Sequence, residues 1–98
     1  MEPLVNIALQ ILPSAPGKNS YDLVDRAIEV IRDSGVPYRV CPFETVMEGR
    51  YEDLMEIAEK AQEACFSQGA EEMLVFIKIQ RRKGRDVTIG DKMEKYGG

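Results

Sequence analysis

Residues 4–12, Leu4-Val5-Asn6-Ile7-Ala8-Leu9-Gln10-Ile11-Leu12, decide how the rest of the chain is read. Val5, Ile7, Leu9 and Ile11 fall on one side of an extended backbone, and Asn6, Ala8 and Gln10 fall on the other. Alternation with period two marks a half-buried strand, because successive side chains of a strand point to opposite faces. The apolar set predicts a face turned to a core, while Asn6 and Gln10 share the opposite face. Pro13, Pro16 and Gly17 then end the strand in a loop, since proline lacks the amide that a ladder needs.

Downstream, Val24, Ala27, Ile28 and Ile31 recur at helical spacing behind Asn19 or Ser20 as cap, which predicts a helix to about Asp33 closed by Gly35. Residues 38–41 and 44–48 read as a short strand pair with a bend at Pro42, and Gly49 marks its exit. Glu52 and Asp53 place negative charge where a helix N-terminus favours it. This second helix, to about Ser67, turns Leu54, Ile57, Ala58, Ala61 and Cys65 inward, and Gly69 stops it. Residues 73–80 form an apolar, β-branched strand with Val75, Ile77 and Ile79 on one face and Leu74, Phe76, Lys78 and Gln80 on the other. Its character predicts a central position in the sheet. A basic loop follows, and Thr88 with Asp91 offers a cap for a short terminal helix.

The predicted order is βαββαβ plus a helix. Right-handed crossovers fold that order into a ferredoxin-like α+β domain: a four-stranded antiparallel sheet, two helices on one face and a short C-terminal helix. The other sheet face is expected to lack cover within the chain and to display Asn6, Ala8, Gln10, Leu74, Phe76 and Lys78. A semi-apolar face of that kind predicts face-to-face association of copies.

Composition narrows the function. With 98 residues, 44% of them hydrophobic, residues 1–98 hold one core and one domain. A formal charge of −4, from 13 basic and 17 acidic residues, opposes nucleic acid as a partner. The absence of histidine removes the commonest general base and the commonest metal ligand together. Cys41 and Cys65 form no CxxC pair and no zinc spacing, so they read as free thiols in a reducing, cytoplasmic setting; the start Met1-Glu2-Pro3 lacks the basic region of a secretory signal. No apolar run approaches the ~20 residues that span a bilayer. No nucleophile is paired with a base, and Cys41 has no histidine to activate it. The expectation is a binding protein, neither an enzyme nor a metalloprotein.

The succession Val5-Asn6-Ile7-Ala8-Leu9-Gln10-Ile11-Leu12-Pro13, then Gly35, then Pro42-Phe43-Glu44-Thr45-Val46-Met47-Glu48-Gly49, and finally Thr88-Ile89-Gly90-Asp91-Lys92 resembles the YkoF-like thiamine-binding proteins over nearly the whole chain. Thr-x-x-Glu-Gly between two helices, with the late Lys92, is its most specific element. The resemblance implies a ferredoxin-like fold, homodimers or homotetramers assembled through sheets, and binding of thiamine or its pyrimidine part between protomers, with no separate cofactor.

Each candidate ligand-binding residue carries a structural alternative. Thr45 and Glu48 are three apart, on opposite faces of a regular strand, and line one pocket only if the chain bends there. The Glu48 carboxylate suits an aminopyrimidine amine; otherwise Thr45 fills a strand position and Glu48 caps a nearby helix start. Asn6 and Gln10 suit the edge of a heterocycle or a subunit interface. Phe43, with Tyr38, suits ring stacking or plain packing. Arg82, in the run Arg81-Arg82-Lys83-Gly84-Arg85, and Lys92 suit the phosphates of a thiamine phosphate, or a solvated loop. Two rival functions stay open: a small enzyme with Glu48 as acid or base and Lys92 or Arg82 steadying an anion, and a structural oligomer without ligand.

Overall fold

A computed structural model describes residues 2–94. Strand β1 (Val5–Ser14) leads into helix α1 (Ser20–Asp33), strands β2 (Tyr38–Val40) and β3 (Thr45–Gly49), helix α2 (Tyr51–Ser67), strand β4 (Glu72–Gln80) and the short helix α3 (Ile89–Met93). The four strands lie in the order β2-β3-β1-β4, every neighbouring pair antiparallel. This is the expected ferredoxin-like α+β fold.

The alternation in β1 sets the layers. Val5, Ile7, Leu9 and Ile11 are buried against the helices, joined by Met47 of β3. From α2 come Leu54, Ile57, Ala58, Ala61 and Cys65, the expected inward face. Helix α1 is rotated from its expected phase: its buried stripe is Leu23, Ala27 and Ile31, with Val24 and Ile28 at the flanks. Asn19 caps α1, its side-chain oxygen accepting from the Tyr21 amide at 2.8 Å. Gly69 ends α2 at φ +111°, where a Cβ would also stand 2.7 Å from Lys18 Cε, so no other residue fits this turn without strain.

Two expectations are corrected. The last strand is not central: β4 pairs only with β1 among the described residues and forms one edge of the sheet. An apolar run signals that both faces seek cover, not that both edges are paired. Leu74, Phe76 and Ile79 of β4 are accordingly exposed.

The open sheet face is also not bare. Residues 86–93 fold back across one end of it as a strap. The Leu4 amide donates to Asp86 Oδ1 at 2.7 Å, and the Val87 amide donates to the Leu4 carbonyl at 2.9 Å. Val87, only 2% exposed, is thereby buried. Thr88 caps α3, accepting from the Asp91 amide at 3.0 Å, as its spacing predicts. The far half of the face keeps Leu12, Leu74 and Phe76 exposed. There β1 and β4 continue as a two-stranded ribbon, Gln10 to Ser14 against Phe76 to Glu72, beyond the point where β3 ends opposite Leu9.

Candidate functional site

Between the strap and the open sheet face lies a cavity of about 460 Å³, within the about 300–1,000 Å³ that small-molecule sites span. Its floor is set by strand register. Ala8 lies opposite Val46 on one side and Lys78 on the other, and its single methyl leaves the space above the sheet open. Ile89, Lys92 and Met93 of the strap form one wall. Arg39, Cys41, Glu44 and Lys78 form the opposite margin, where Lys78 Nζ approaches Glu44 Oε1 at 2.9 Å across β1. The Lys78 side chain is 73% exposed, so this pair orients the margin more than it stabilises the fold.

Asn6 sits at the foot of the cavity, 2% exposed. Its Nδ2 donates to the Val87 carbonyl at 3.0 Å. A carbonyl only accepts, so this bond fixes which way the amide faces. Oδ1 is left buried with no partner. A buried polar atom without a partner costs about 1–3 kcal/mol, and because Asn6 lines the cavity, a small shift of its amide would offer Oδ1 to a ligand N–H.

Glu48, the cross-strand neighbour of Asn6, shares the open face. Its Oε1 accepts from the Ile89 amide at 2.7 Å, a charge-assisted bond at the first turn of α3. Glu48 thus caps a helix start, but that of α3 and not that of α2. Glu48→Ala is expected to weaken the strap by about 1.5–3 kcal/mol, seen as roughly 10- to 100-fold faster hydrogen exchange at Ile89 while the amides of α2 keep their rates. Unaltered exchange at Ile89 would mean that the carboxylate does not hold the strap.

Lys92 has its pKa lowered, first by partial desolvation and second by the charge of Arg82. Lys92 lines the cavity, whereas Arg82 lines a separate pocket with Glu2, Tyr51 and Glu52. Burial pushes the Cys65 thiol up, away from the reactive thiolate. Among the described residues, no group of three or more His, Cys, Asp or Glu side chains is arranged to hold a metal, and no helix is long and apolar enough to cross a membrane.

Of the predicted site residues, the fold brings Asn6 and Lys92 to the cavity, with Glu48 behind the strap and Arg82 outside it, in a pocket with Glu2, Tyr51 and Glu52. Thr45 lies opposite Leu9 on the helix side, 6% exposed. Strand β3 stays regular, so the odd spacing separates Thr45 from Glu48. Gln10 faces the open side but lies opposite Phe76, outside the cavity lining. Phe43 is 81% exposed in the bend after β2, where the Cys41 amide donates to the Glu44 carbonyl. Arg81 stacks over the Tyr51 ring at 4.4 Å and is turned elsewhere. The reading of single residues misses Ala8, Arg39, Glu44 and the strap residues Ile89 and Met93 as lining. The parity of β1 and β3 points to Ala8, Val46 and Glu44; nothing local points to the strap.

Fold and site together define a small ferredoxin-like domain with a strap-walled cavity of small-molecule size on its sheet. The chain belongs to the thiamine-binding protein family, whose model matches residues 7–97. It is 45% identical over 91 residues to a UPF0045 protein of Clostridium perfringens, covering 93% of this chain and 95% of that one. A UPF0045 protein of Mycobacterium bovis is 32% identical over 96 residues, covering 94% and 93%. Among solved structures, a domain of unknown function, DUF77, from Bacillus cereus superposes with a TM-score of 0.95 at 42% identity, covering 98% of this chain and 92% of that one. A candidate thiamine biosynthesis/salvage protein of Thermotoga maritima gives 0.86 at 28% identity, covering 96% and 99%.

Proposed function

We propose that the protein binds thiamine or a related aminopyrimidine in the cavity under the strap and releases it unchanged, as a carrier, buffer or sensor. The unpartnered Asn6 Oδ1 carries this reading. An exocyclic amine on a flat ring supplies the missing donor, and the walls of Ala8, Val46, Ile89 and Met93 suit the ring faces. Family membership and the thiamine-related name of the Thermotoga maritima relative support the same ligand class. Glu48 serves the site by fixing the strap. Cys41, the thiol on the margin, points its weak bond at the Arg39 carbonyl, and the chain has no histidine to activate it, which favours binding over conversion.

Association belongs to the same reading. Leu12, Leu74 and Phe76 beside the cavity are exposed, and homodimers or homotetramers formed through the sheets would cover them and complete the mouth of the site. A cytoplasmic location agrees with two free cysteines.

Thermal melts and calorimetry with thiamine and with 4-amino-5-hydroxymethyl-2-methylpyrimidine test the reading. At a hundredfold excess over Kd, a ligand bound only by the native state stabilises it by about 2.7 kcal/mol, which raises Tm by several degrees in a domain of this size. The ligand is recovered with its mass unchanged. A Tm that does not move with either compound defeats the proposal.

A further inference from the structure

We propose that the cavity selects the amino over the oxo form of its pyrimidine, with the fixed amide of Asn6 as the selective group and the free amide of Gln80 as a second reader of the same ring edge. This rests on the aminopyrimidine reading above and names the groups that tell one pyrimidine from another.

The two amides differ in freedom. Asn6 and Gln80 are cross-strand partners on β1 and β4, side by side on the open face, and both line the cavity. Asn6 is 2% exposed, and its Nδ2 is committed to the Val87 carbonyl at 3.0 Å. A half-turn of this amide would set Oδ1 against that carbonyl, acceptor against acceptor. Oδ1, buried without a partner, is therefore satisfied only by a donor. Gln80 is exposed, and among the described residues its side-chain amide makes no hydrogen bond. It turns over at no such cost.

An aminopyrimidine presents an amine with two N–H groups beside a ring nitrogen that accepts. Gln80 matches the side of the ring nitrogen with two bonds, accepting from one amine N–H and donating from Nε2 to the nitrogen, as an amide does when it reads the edge of adenine. The second amine N–H is left for Asn6 Oδ1, met by a small shift of the Asn6 amide. The oxo form reverses the pattern, because its oxygen accepts and its ring N–H donates. Gln80 turns over and keeps both bonds, whereas Asn6 cannot follow and sets its own oxygen against that of the ligand. A site built around a buried polar group rejects an analogue that leaves the group unpaired. Gln80 thus adds affinity for both forms, and Asn6 separates them. Val87 is the positioning residue: it lies outside the cavity lining, and its carbonyl fixes which way the Asn6 amide faces.

Calorimetry on the full chain tests the proposal with 4-amino-5-hydroxymethyl-2-methylpyrimidine, its 4-oxo counterpart, and the compound with hydrogen in place of the amine. Replacing Asn6 would also strip the Val87 carbonyl of its donor and loosen the strap, so the ligand is varied at that contact and the protein at Gln80. The amine is expected to bind at least about tenfold more tightly than either analogue. Gln80→Met, at an exposed position, should weaken the amino and oxo forms by a similar factor, about three- to tenfold, and leave their ratio as it was. Asn6 and Asn19 are the two asparagines of the chain, so the Asn6 side-chain amide is readily assigned in nitrogen–proton correlation spectra. Its signals should move with the amine, in the unmodified chain and in Gln80→Met alike, and stay in place with the compound that lacks it. Equal affinity of the amine and either analogue overturns the inference and leaves the proposed function standing. So does an Asn6 amide whose signals do not respond to the bound amine, a ratio that Gln80→Met brings close to one, or an amine affinity that Gln80→Met does not change. Failure of all three compounds to bind overturns the inference and the aminopyrimidine reading together.

Discussion

Asn6→Asp is expected to cost the folded chain about 3 kcal/mol or more at pH 7. The change is one atom in size, but it replaces the Nδ2 that donates to the Val87 carbonyl with an oxygen that repels it. It also places a carboxylate at a position 2% exposed, beside Glu48 on the neighbouring strand. Lost donor, desolvated charge and like-charge neighbour act in the same direction. Burial and Glu48 raise the folded-state pKa of the new carboxyl above its unfolded value of about 3.9. The deficit is therefore full above the folded-state value and shrinks as pH falls toward the unfolded one. Once protonated, the new carboxyl also regains a donor for the Val87 carbonyl. Urea denaturation of both proteins at pH 7 and pH 4.5 measures this: the gap in midpoint should be wide at pH 7 and narrower at pH 4.5. Matching midpoints at pH 7 would show that Asn6 is not held against the strap.

The second large effect lies behind the site. Leu54→Ala should destabilise the protein by about 3–4 kcal/mol, the sum of lost apolar burial and a cavity that its neighbours fill only in part. Leu54 is fully buried, and its Cδ2 lies 3.1 Å from where a Cβ on Gly49 would stand. The bare backbone of Gly49 is what lets α2 pack so closely on the end of β3. Small domains hold only about 5–15 kcal/mol in all, so this one substitution removes a large share, and it loosens the strand end that carries Glu48. Leu54→Met, which nearly conserves volume, should cost under about 1.5 kcal/mol. Similar losses for the two variants in chemical denaturation would mean that the side chain is not enclosed.

Much of the fold is legible in the sequence because its signals are local. The alternation in residues 4–12 assigns the two faces of β1, and parity alone separates Thr45 from Glu48 across β3, as the register shows. The helical spacing of α2 holds down to Cys65. In α1 the spacing turns Val24 inward, where the structure buries Leu23, because adjacent apolar residues leave the phase of a short amphipathic helix open. The misplacement of β4 has a comparable source. Leu74, Phe76 and Ile79 announce apolar surface, but composition does not say whether a strand of the same chain covers it or whether it stays at an edge.

The candidate site is legible in part for another reason. Residue type and position single out Asn6 and Lys92, whereas what makes Asn6 informative is the orphaned Oδ1 that Val87 creates. Val87 is a lone apolar residue between Asp86 and Thr88 and carries no periodicity to mark it as buried. Its placement depends on hydrogen bonds between opposite ends of the chain, which no window of sequence contains.

Those bonds tie the two ends of the described chain together. Leu4 with Asp86 and Asn6 with Val87 join residues separated by 82 and 81 positions, while the sheet and helices need nothing from the strap to pair and pack. Pairing of β1 with β4 already sets Gln80 opposite Asn6, so the strap then closes over only the few residues up to Asp86 and adds little further loop-closure cost. Held by a few hydrogen bonds and by the one buried side chain of Val87, the strap is the part of the fold that opens at least cost to the core. Under the proposed function, a ligand entering by this opening would act as the latch, its occupancy setting how long the chamber stays shut.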